Sequence, residues 1–344
     1  MLSRMKFEIE DLVTEMLDQF PESVWNSDTT TFFDPAIGGG QFVKVIEQRL
    51  RDYGHSDSNI RRRVFGLEES NLHIRYAVNK HKLVGQYACK PYELFLELDN
   101  RVKFDVIVGN PPFQNSNSDA KRWTLWEQFV SKSFELSDRV AMVTPQSITS
   151  PGPFSLIKDK SNVINIDVSK HFNVGSTFCY FVADKNKAGG TDTKIITGDI
   201  EHQVNVSNLP FLPFIVNDDT LSQLDWLMNR KSRKWSRGEF HTSNKHLFDA
   251  NGKYTVMHTN AQELKSNVDH PNRSKIRVAV SLSGYPKFKV LQNSYASQAC
   301  FWTEFDNLKD ANEFANECNG EYIQGIMNVF KWSGWNSKEV IQCL

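Results

Sequence analysis

Asn110-Pro111-Pro112-Phe113 is the stretch whose residue types constrain chemistry most. It follows Phe104-Asp105-Val106-Ile107-Val108-Gly109, an apolar run that reads as a buried strand ending at a turn. Each proline fixes its own φ, removes an N–H donor and restricts the residue before it. What remains around Asn110 is a stiff cluster of acceptors, its side-chain oxygen and nearby carbonyls, beside the flat ring of Phe113. Such a platform suits a planar NH2 group held by its two hydrogens while its plane is stacked. An exocyclic base amine and a carboxamide both fit. A Pro-Pro pair at a strand end is by itself only a turn, so the neighbouring motifs decide.

Two of them do. Asp34-Pro35-Ala36-Ile37-Gly38-Gly39-Gly40 follows the short apolar run Thr31-Phe32-Phe33 and opens a helical pattern. Three consecutive glycines let backbone approach a ligand closely, although the spacing is not the Gly-x-Gly-x-x-Gly of dinucleotide sites. Arg63-Val64-Phe65-Gly66-Leu67 reads as the next strand and ends at Glu68, where an acid can accept from ribose hydroxyls. Glu69 competes for that role, and alternation along the strand does not choose between them. Glycine loop and strand-end acid together indicate a nucleoside cofactor.

The elements that position these residues are legible from periodicity. Ile9, Leu12, Val13, Met16, Leu17 and Phe20 mark a helix that ends at Pro21. Further helical patterns run from Gln41 to about Tyr53, from Asn71 to Leu83 and from Trp123 to Leu136, where Trp123 and Trp126 suit helix packing. Val140 to Val143 reads as a strand. Strands alternating with helices at this spacing argue for βαβ units and a parallel sheet. The alternation fades after about residue 160, where Val163 to Val168 and Phe178 to Val182 suggest a hairpin. Leu209-Pro210-Phe211-Leu212-Pro213 reads as a linker, which divides the chain into residues 1–208 and 209–344. Beyond it, strand candidates lie around Tyr254 to His258, Ile276 to Leu282 and Lys287 to Leu291.

The chain has 344 residues, enough for two domains, and its net charge of −1 hides an uneven distribution. Between Arg230 and Val290 stand thirteen Lys or Arg and four Asp or Glu, a local +9, so the remainder carries −10. That asymmetry suits a nucleic-acid contact surface joined to a catalytic part. Lys121-Arg122 and the run Arg230, Lys231, Arg233, Lys234 and Arg237 are phosphate-contact candidates. Arg273 and Arg277 are candidate base readers, with Asn244 and Lys287. The five cysteines lack metal-ligand or redox spacing, so no metal site is expected. Neither a signal peptide nor an apolar run of membrane-spanning length is visible, and the expected location is the cytoplasm.

The ordered set Phe33 to Gly40, Gly66-Leu67-Glu68 and Gly109 to Phe113, followed by a basic region, resembles the S-adenosylmethionine-dependent adenine-N6 DNA methyltransferases of gamma motif order. The resemblance covers about residues 8 to 185. It implies a Rossmann-like, doubly wound α/β domain of the class I methyltransferase kind over 1–208 and a smaller α+β target-recognition domain over 209–344. It places Asp34, Pro35, Ala36, Gly38 and Gly40 at S-adenosylmethionine, Glu68 on its ribose and Glu93 in the segment near its adenine. The Thr-Pro pair common before the first helix of the family is replaced here by Phe7-Glu8. Asn110, Pro111, Pro112 and Phe113 would hold a flipped adenine, with Phe172 as a second aromatic. Double-stranded DNA is the implied partner. No Pro-Asp…Asp/Glu-x-Lys nuclease pattern is recognised, so the stretch is expected only to methylate, and a separate cognate restriction endonuclease is a further candidate partner. RNA-adenine and protein-glutamine methyltransferases use the same platform and are the nearest alternatives, followed by a non-catalytic anti-restriction module. A nicotinamide-dependent oxidoreductase leaves the Pro-Pro platform unexplained.

Overall fold

A computed structural model describes residues 2–113, 125–172, 177–332 and 336–344, with side chains from Ile9 onward. The chain divides into two compact units, Met1–Phe211 and Leu212–Leu344. The segment around the division carries no helix or strand, as its prolines require, and the Phe211 and Leu212 side chains are fully buried.

In the first unit, α1 (Leu2–Asp18) and α2 (Glu22–Asn26) lead into β1 (Phe32–Asp34). There follow α3 (Gln41–Asp52), α4 (Asp57–Arg61), β2 (Val64–Glu68), α5 (Asn71–His81), β3 (Gln86–Cys89), α6 (Glu93–Leu96) and β4 (Phe104–Gly109). Then come α7 (Leu125–Leu136), β5 (Ser137–Pro145), β6 (Ser161–Asn165), β7 (Phe178–Asp184), β8 (Thr193–Thr197) and β9 (Ile200–Val204). Among the described residues nine strands form one sheet in the order β3-β2-β1-β4-β5-β7-β6-β8-β9. The five strands from β3 to β5 are mutually parallel, and β7 enters antiparallel beside β5. This is a doubly wound α/β sheet.

Alternation sorts the side chains to two faces. Phe32, Val106 and Val108 join Leu12, Val13 and Met16 of α1 and Val43 and Ile46 of α3 in one core. Phe33 points the other way. It stacks on Phe104 with centroids 4.5 Å apart and meets Phe95 of α6, which leans on Phe129 of α7 at 5.0 Å. Helices therefore cover both faces, and Val106, Ile107 and Val108 are wholly buried.

The β8–β9 hairpin was not expected from the sequence. Its turn holds Gly198 at φ +61, and β9 carries Glu201, His202 and Gln203 on a largely exposed edge. Charged residues keep such an edge from pairing further, and they also erase the apolar alternation that would reveal a strand.

The second unit is α+β. It contains α8 (Asp218–Asn229), β10 (Ser236–Arg237), β11 (Tyr254–Met257), β12 (Glu263–Ser266), β13 (Ile276–Ser281), β14 (Phe288–Leu291), β15 (Tyr295–Ala296), β16 (Cys300–Phe305), α9 (Leu308–Asn319), α10 (Glu321–Val329) and α11 (Lys338–Cys343). One sheet runs β10-β16-β13-β14 and a second β12-β11-β15. The first packs on α9 through Phe305 and Trp235, whose rings lie 5.3 and 6.2 Å from that of Phe314. Among the described residues no helix is long and apolar enough to cross a membrane.

Candidate active site

The strand order reverses between β1 and β4, because the chain runs from β1 outward to β3 and then returns to the other side of β1. In open α/β sheets the carboxyl ends of strands at such a switch point form the ligand crevice. Asp34, Glu68 and Gly109 end β1, β2 and β4. The three sequence motifs thus converge at one edge.

Asp34 is 1% exposed. Its Oδ1 accepts from the Ala36 N–H at 2.9 Å, while the buried Oδ2 has no hydrogen-bond partner among the described residues. Burial pushes the carboxyl up to about 7, against the lowering effect of the Ala36 N–H and with help from the neighbouring Glu68 charge. Pro35 is buried beside it. A Cβ at Gly109 would come 3.0 Å from Asp34 Oδ1, so the end of β4 lies directly against the loop that follows β1. Gly38 and Gly40 both have positive φ, +52 and +84. At Gly40 a Cβ would also meet Ala77 of α5 at 2.8 Å, so this glycine is required for helix packing, whereas a Cβ at Gly38 would make only an ordinary contact with the Ala36 carbonyl at 3.9 Å.

Glu68 and Glu69 differ in orientation. Glu68 is 3% exposed and turned toward the loop, where Oε2 accepts from the Gly38 N–H at 2.9 Å and from the Tyr92 hydroxyl at 3.3 Å. Its Oε1 accepts from the Ser70 N–H at 3.1 Å and lies 3.2 Å from His73 Nδ1. Glu69 is exposed and accepts from the Tyr92 N–H at 3.3 Å. Glu93 is exposed in the first turn of α6. Its neighbour Tyr92 is the residue of that segment that reaches Glu68, a contact the sequence reading missed because a tyrosine carries no motif there.

Asn110 is exposed at the end of β4, Pro111 is buried, and Pro112 and Phe113 are half-buried. Phe113 and Phe172 both lean on Phe178, with centroids 5.1 and 4.8 Å away. Phe178 is 4% exposed and opens β7, so it seats both rings from below. It read as an ordinary strand residue in the sequence, since only tertiary packing brings it between residues about sixty apart. Lys121 and Arg122 lie outside the described residues.

The basic residues of the second unit separate into committed and open ones. Arg277 is a correction: it is fully buried, pairs with Glu239 at 2.9 Å, donates to the Ser294 carbonyl and lies over Trp302 at 5.0 Å. No base edge can reach it. Its position at the second residue of β13 turns it into the sheet face that the core uses. Arg230 pairs with Glu317 at 2.8 Å, and Arg273 with Asp269 at 2.8 Å. Arg237 is exposed and donates to the Gln298 carbonyl at 2.7 Å. Lys231, Arg233 and Lys234 are exposed. Among the described residues no group of three or more His, Cys, Asp or Glu stands where it could hold a metal ion.

Residues 40–173 match the Eco57I restriction-modification methylase family model. That span takes in Glu68, Asn110 to Phe113 and Phe172. Similar solved structures include a modification subunit of a putative type I restriction enzyme from Vibrio vulnificus YJ016, at 16% identity and TM-score 0.43, covering 64% of this chain and 52% of that one. Another is the DrdV–DNA complex, at 12% identity and TM-score 0.48, covering 96% of this chain and 51% of that one. A third is the type IIL restriction-modification enzyme MmeI in complex with DNA, at 12% identity and TM-score 0.45, covering 89% and 60%. The chain thus spans about half the length of these proteins. No curated protein matches the sequence. Residues 40–173 are thus similar to restriction-modification methylases, and they lie on a doubly wound sheet.

Proposed function

We propose that this chain transfers a methyl group from S-adenosylmethionine to the N6 amine of an adenine in double-stranded DNA. In this reading residues 1–208 catalyse and 209–344 engage the target. The observation that carries it is the direct apposition of the Asp34 loop and the end of β4, where Gly109 approaches Asp34 and Asn110 follows. A cofactor loop and an amine-gripping platform in contact are what in-line group transfer needs.

The residues present fit the cofactor. Asp34 Oδ2 is a buried acceptor lacking a donor, which suits an ammonium group such as the cofactor's methionine moiety carries. Gly38 lets the loop backbone take a positive φ without a side chain, and Glu68 is held by backbone N–H groups where it could meet ribose hydroxyls. Those hydroxyls would replace the longer contacts from Tyr92 and His73 while the backbone N–H groups keep the carboxylate in place. S-adenosylmethionine supplies an electrophilic methyl on a sulfonium.

Asn110 Oδ1 and the Pro111 carbonyl would accept the two hydrogens of the adenine amine, favouring a pyramidal nitrogen whose lone pair is localised for attack. Phe113, braced by Phe178, would stack the extruded base, with Phe172 bounding the same pocket. No covalent enzyme intermediate is required. The nearby Cys179 is fully buried, and burial pushes its thiol up to about 12, so it stays protonated at neutral pH. A separate restriction endonuclease is the partner that a methylating chain of this type would protect its own DNA against.

The test is transfer of labelled methyl from S-adenosylmethionine to duplex DNA, followed by nucleoside mass spectrometry. N6-methyladenine is expected. Label confined to RNA or to protein glutamine would overturn the reading, and no label in any substrate would favour the non-catalytic module.

A further inference from the structure

We infer that the second unit contains a built phosphodiester-binding cleft, formed where the segment before β10 crosses the ends of β13 and β16. The inference rests on the reading of this unit as the part that engages nucleic acid and names the chemical group it takes. The cleft encloses about 500 Å³ and is lined by Lys231, Arg233, Lys234, Lys275, Trp302 and Glu304, with the Ser232, Ser236 and Thr303 positions between them. Four cations against one carboxylate leave a local charge of +3. Glu304 is already engaged by Lys275 at 2.8 Å.

The cations differ in how they are held. Arg233 donates to the Glu304 carbonyl at 3.2 Å and lies 4.0 Å from the Phe305 ring centroid, so its guanidinium is fixed before any ligand arrives. Lys231 and Lys234 are exposed and pair with no carboxylate among the described residues. Trp302 supplies a further donor. It is 7% exposed, and its Nε1–H is shielded from solvent with no acceptor among the described residues. A buried N–H without a partner is costly, and an anion seated in the cleft is the acceptor that its surroundings favour. The indole is held in place by Arg277 over its ring at 5.0 Å and Lys275 at 5.8 Å. The buried Arg277–Glu239 pair thus serves the cleft as a buttress.

A fixed guanidinium, two exposed ammonium groups and a neutral N–H match an anion that offers several oxygens and repeats along a chain. That describes the backbone of duplex DNA better than a free phosphate, which needs no such spread of donors. Contacts of this kind position the duplex and carry no sequence information.

The experiment measures binding of a labelled duplex to the full chain by fluorescence anisotropy across a salt series, with methyl transfer to the same duplex assayed in parallel. Lys231→Gln/Lys234→Gln should lower the slope of log K against log salt by about 2, near 0.9 per released phosphate contact. Lys309→Gln, an exposed lysine outside the cleft, should leave the slope unchanged. Trp302→Phe should weaken binding at constant slope, because an indole N–H carries no full charge. The Trp302 indole N–H resonance, assigned by its loss in Trp302→Phe, should shift when duplex is added. An unchanged slope in the double lysine variant overturns the cleft. Displacement of the duplex by inorganic phosphate well below the concentrations at which chloride acts also overturns it, by making this a free-phosphate site. Methyl transfer to DNA with an unchanged slope removes the cleft and leaves the enzymatic reading standing. A lowered slope without methyl transfer supports the cleft and removes that reading.

Discussion

The two units treat charge in opposite ways. In Met1–Phe211 the candidate cofactor-site carboxylates, Asp34 and Glu68, are buried. Asp34 has one unpaired oxygen and Glu68 is surrounded by donors, two of them backbone N–H groups. In Leu212–Leu344 the candidate contact groups are cations at the surface, while Arg230, Arg273 and Arg277 are each paired within the unit, by Glu317, Asp269 and Glu239. A site made from strand ends and backbone donors holds one small ligand in one geometry. A site made from the lysines left over after pairing holds a long polyanion loosely. Density of basic residues in sequence is therefore a poor guide to where a polyanion binds, and the unpaired remainder is a better one.

The contrast can be broken most forcefully at Arg277. Arg277→Ala leaves Glu239, itself 8% exposed, buried without a counter-charge, and should cost about 3–5 kcal/mol of stability. Denaturant unfolding measures this, and a loss under 1 kcal/mol would return Arg277 to the surface-cation class. Next is Asn110→Ala, expected to lower kcat by about 10²–10³-fold while cofactor binding by calorimetry is retained. Equal losses in cofactor binding would mean that the platform belongs to the cofactor site.

Asp34 gives a smaller effect with a definite sign. Its carboxyl titrates near 7, so it is largely neutral below that pH. If it pairs with the cofactor's ammonium, affinity rises with pH and should fall about tenfold between pH 8 and pH 6. Stability of the cofactor-free chain moves the other way. A carboxyl raised from 3.8 binds its proton more tightly folded than unfolded, so its contribution is present below pH 3.8 and lost as pH rises through about 7. Asp34→Asn should remove both trends, and a pH-independent cofactor affinity in the wild-type chain would reject the pairing. The smallest effect is Arg230→Gln, at most about 1 kcal/mol of stability, because its pair with Glu317 is at the surface. Its change in the salt slope of DNA binding should stay below that of the Lys231 and Lys234 pair.

The first unit was the more legible in sequence because its candidate site is written in short contiguous runs. Asp34 to Gly40, Glu68 and Asn110 to Phe113 each end a strand, and a parallel sheet brings consecutive strand ends to one edge without further instruction. What alternation left open was the choice between Glu68 and Glu69, since the direction of a side chain at the last residue of a strand depends on the loop that receives it. The Gly38 N–H holds the Glu68 carboxylate toward the loop. Phe178 was unreadable for a related reason: as a strand residue it is ordinary, and its role arises from two rings that arrive from distant loops.

By itself, the sequence determined the sheet class, the strand-end positions of the candidate loop and platform residues and the excess of positive charge after Arg230, all of which depend on residue type and local spacing. Only the tertiary structure decided which of those charges remain open. Arg277 is removed from the surface by Glu239, 38 residues away, while Lys231, Lys234 and Trp302 are gathered into one cleft across the pairing of β10 with β16. Charge neutralisation and burial are set by neighbours in space, and nothing in the local pattern of a chain records who those neighbours will be.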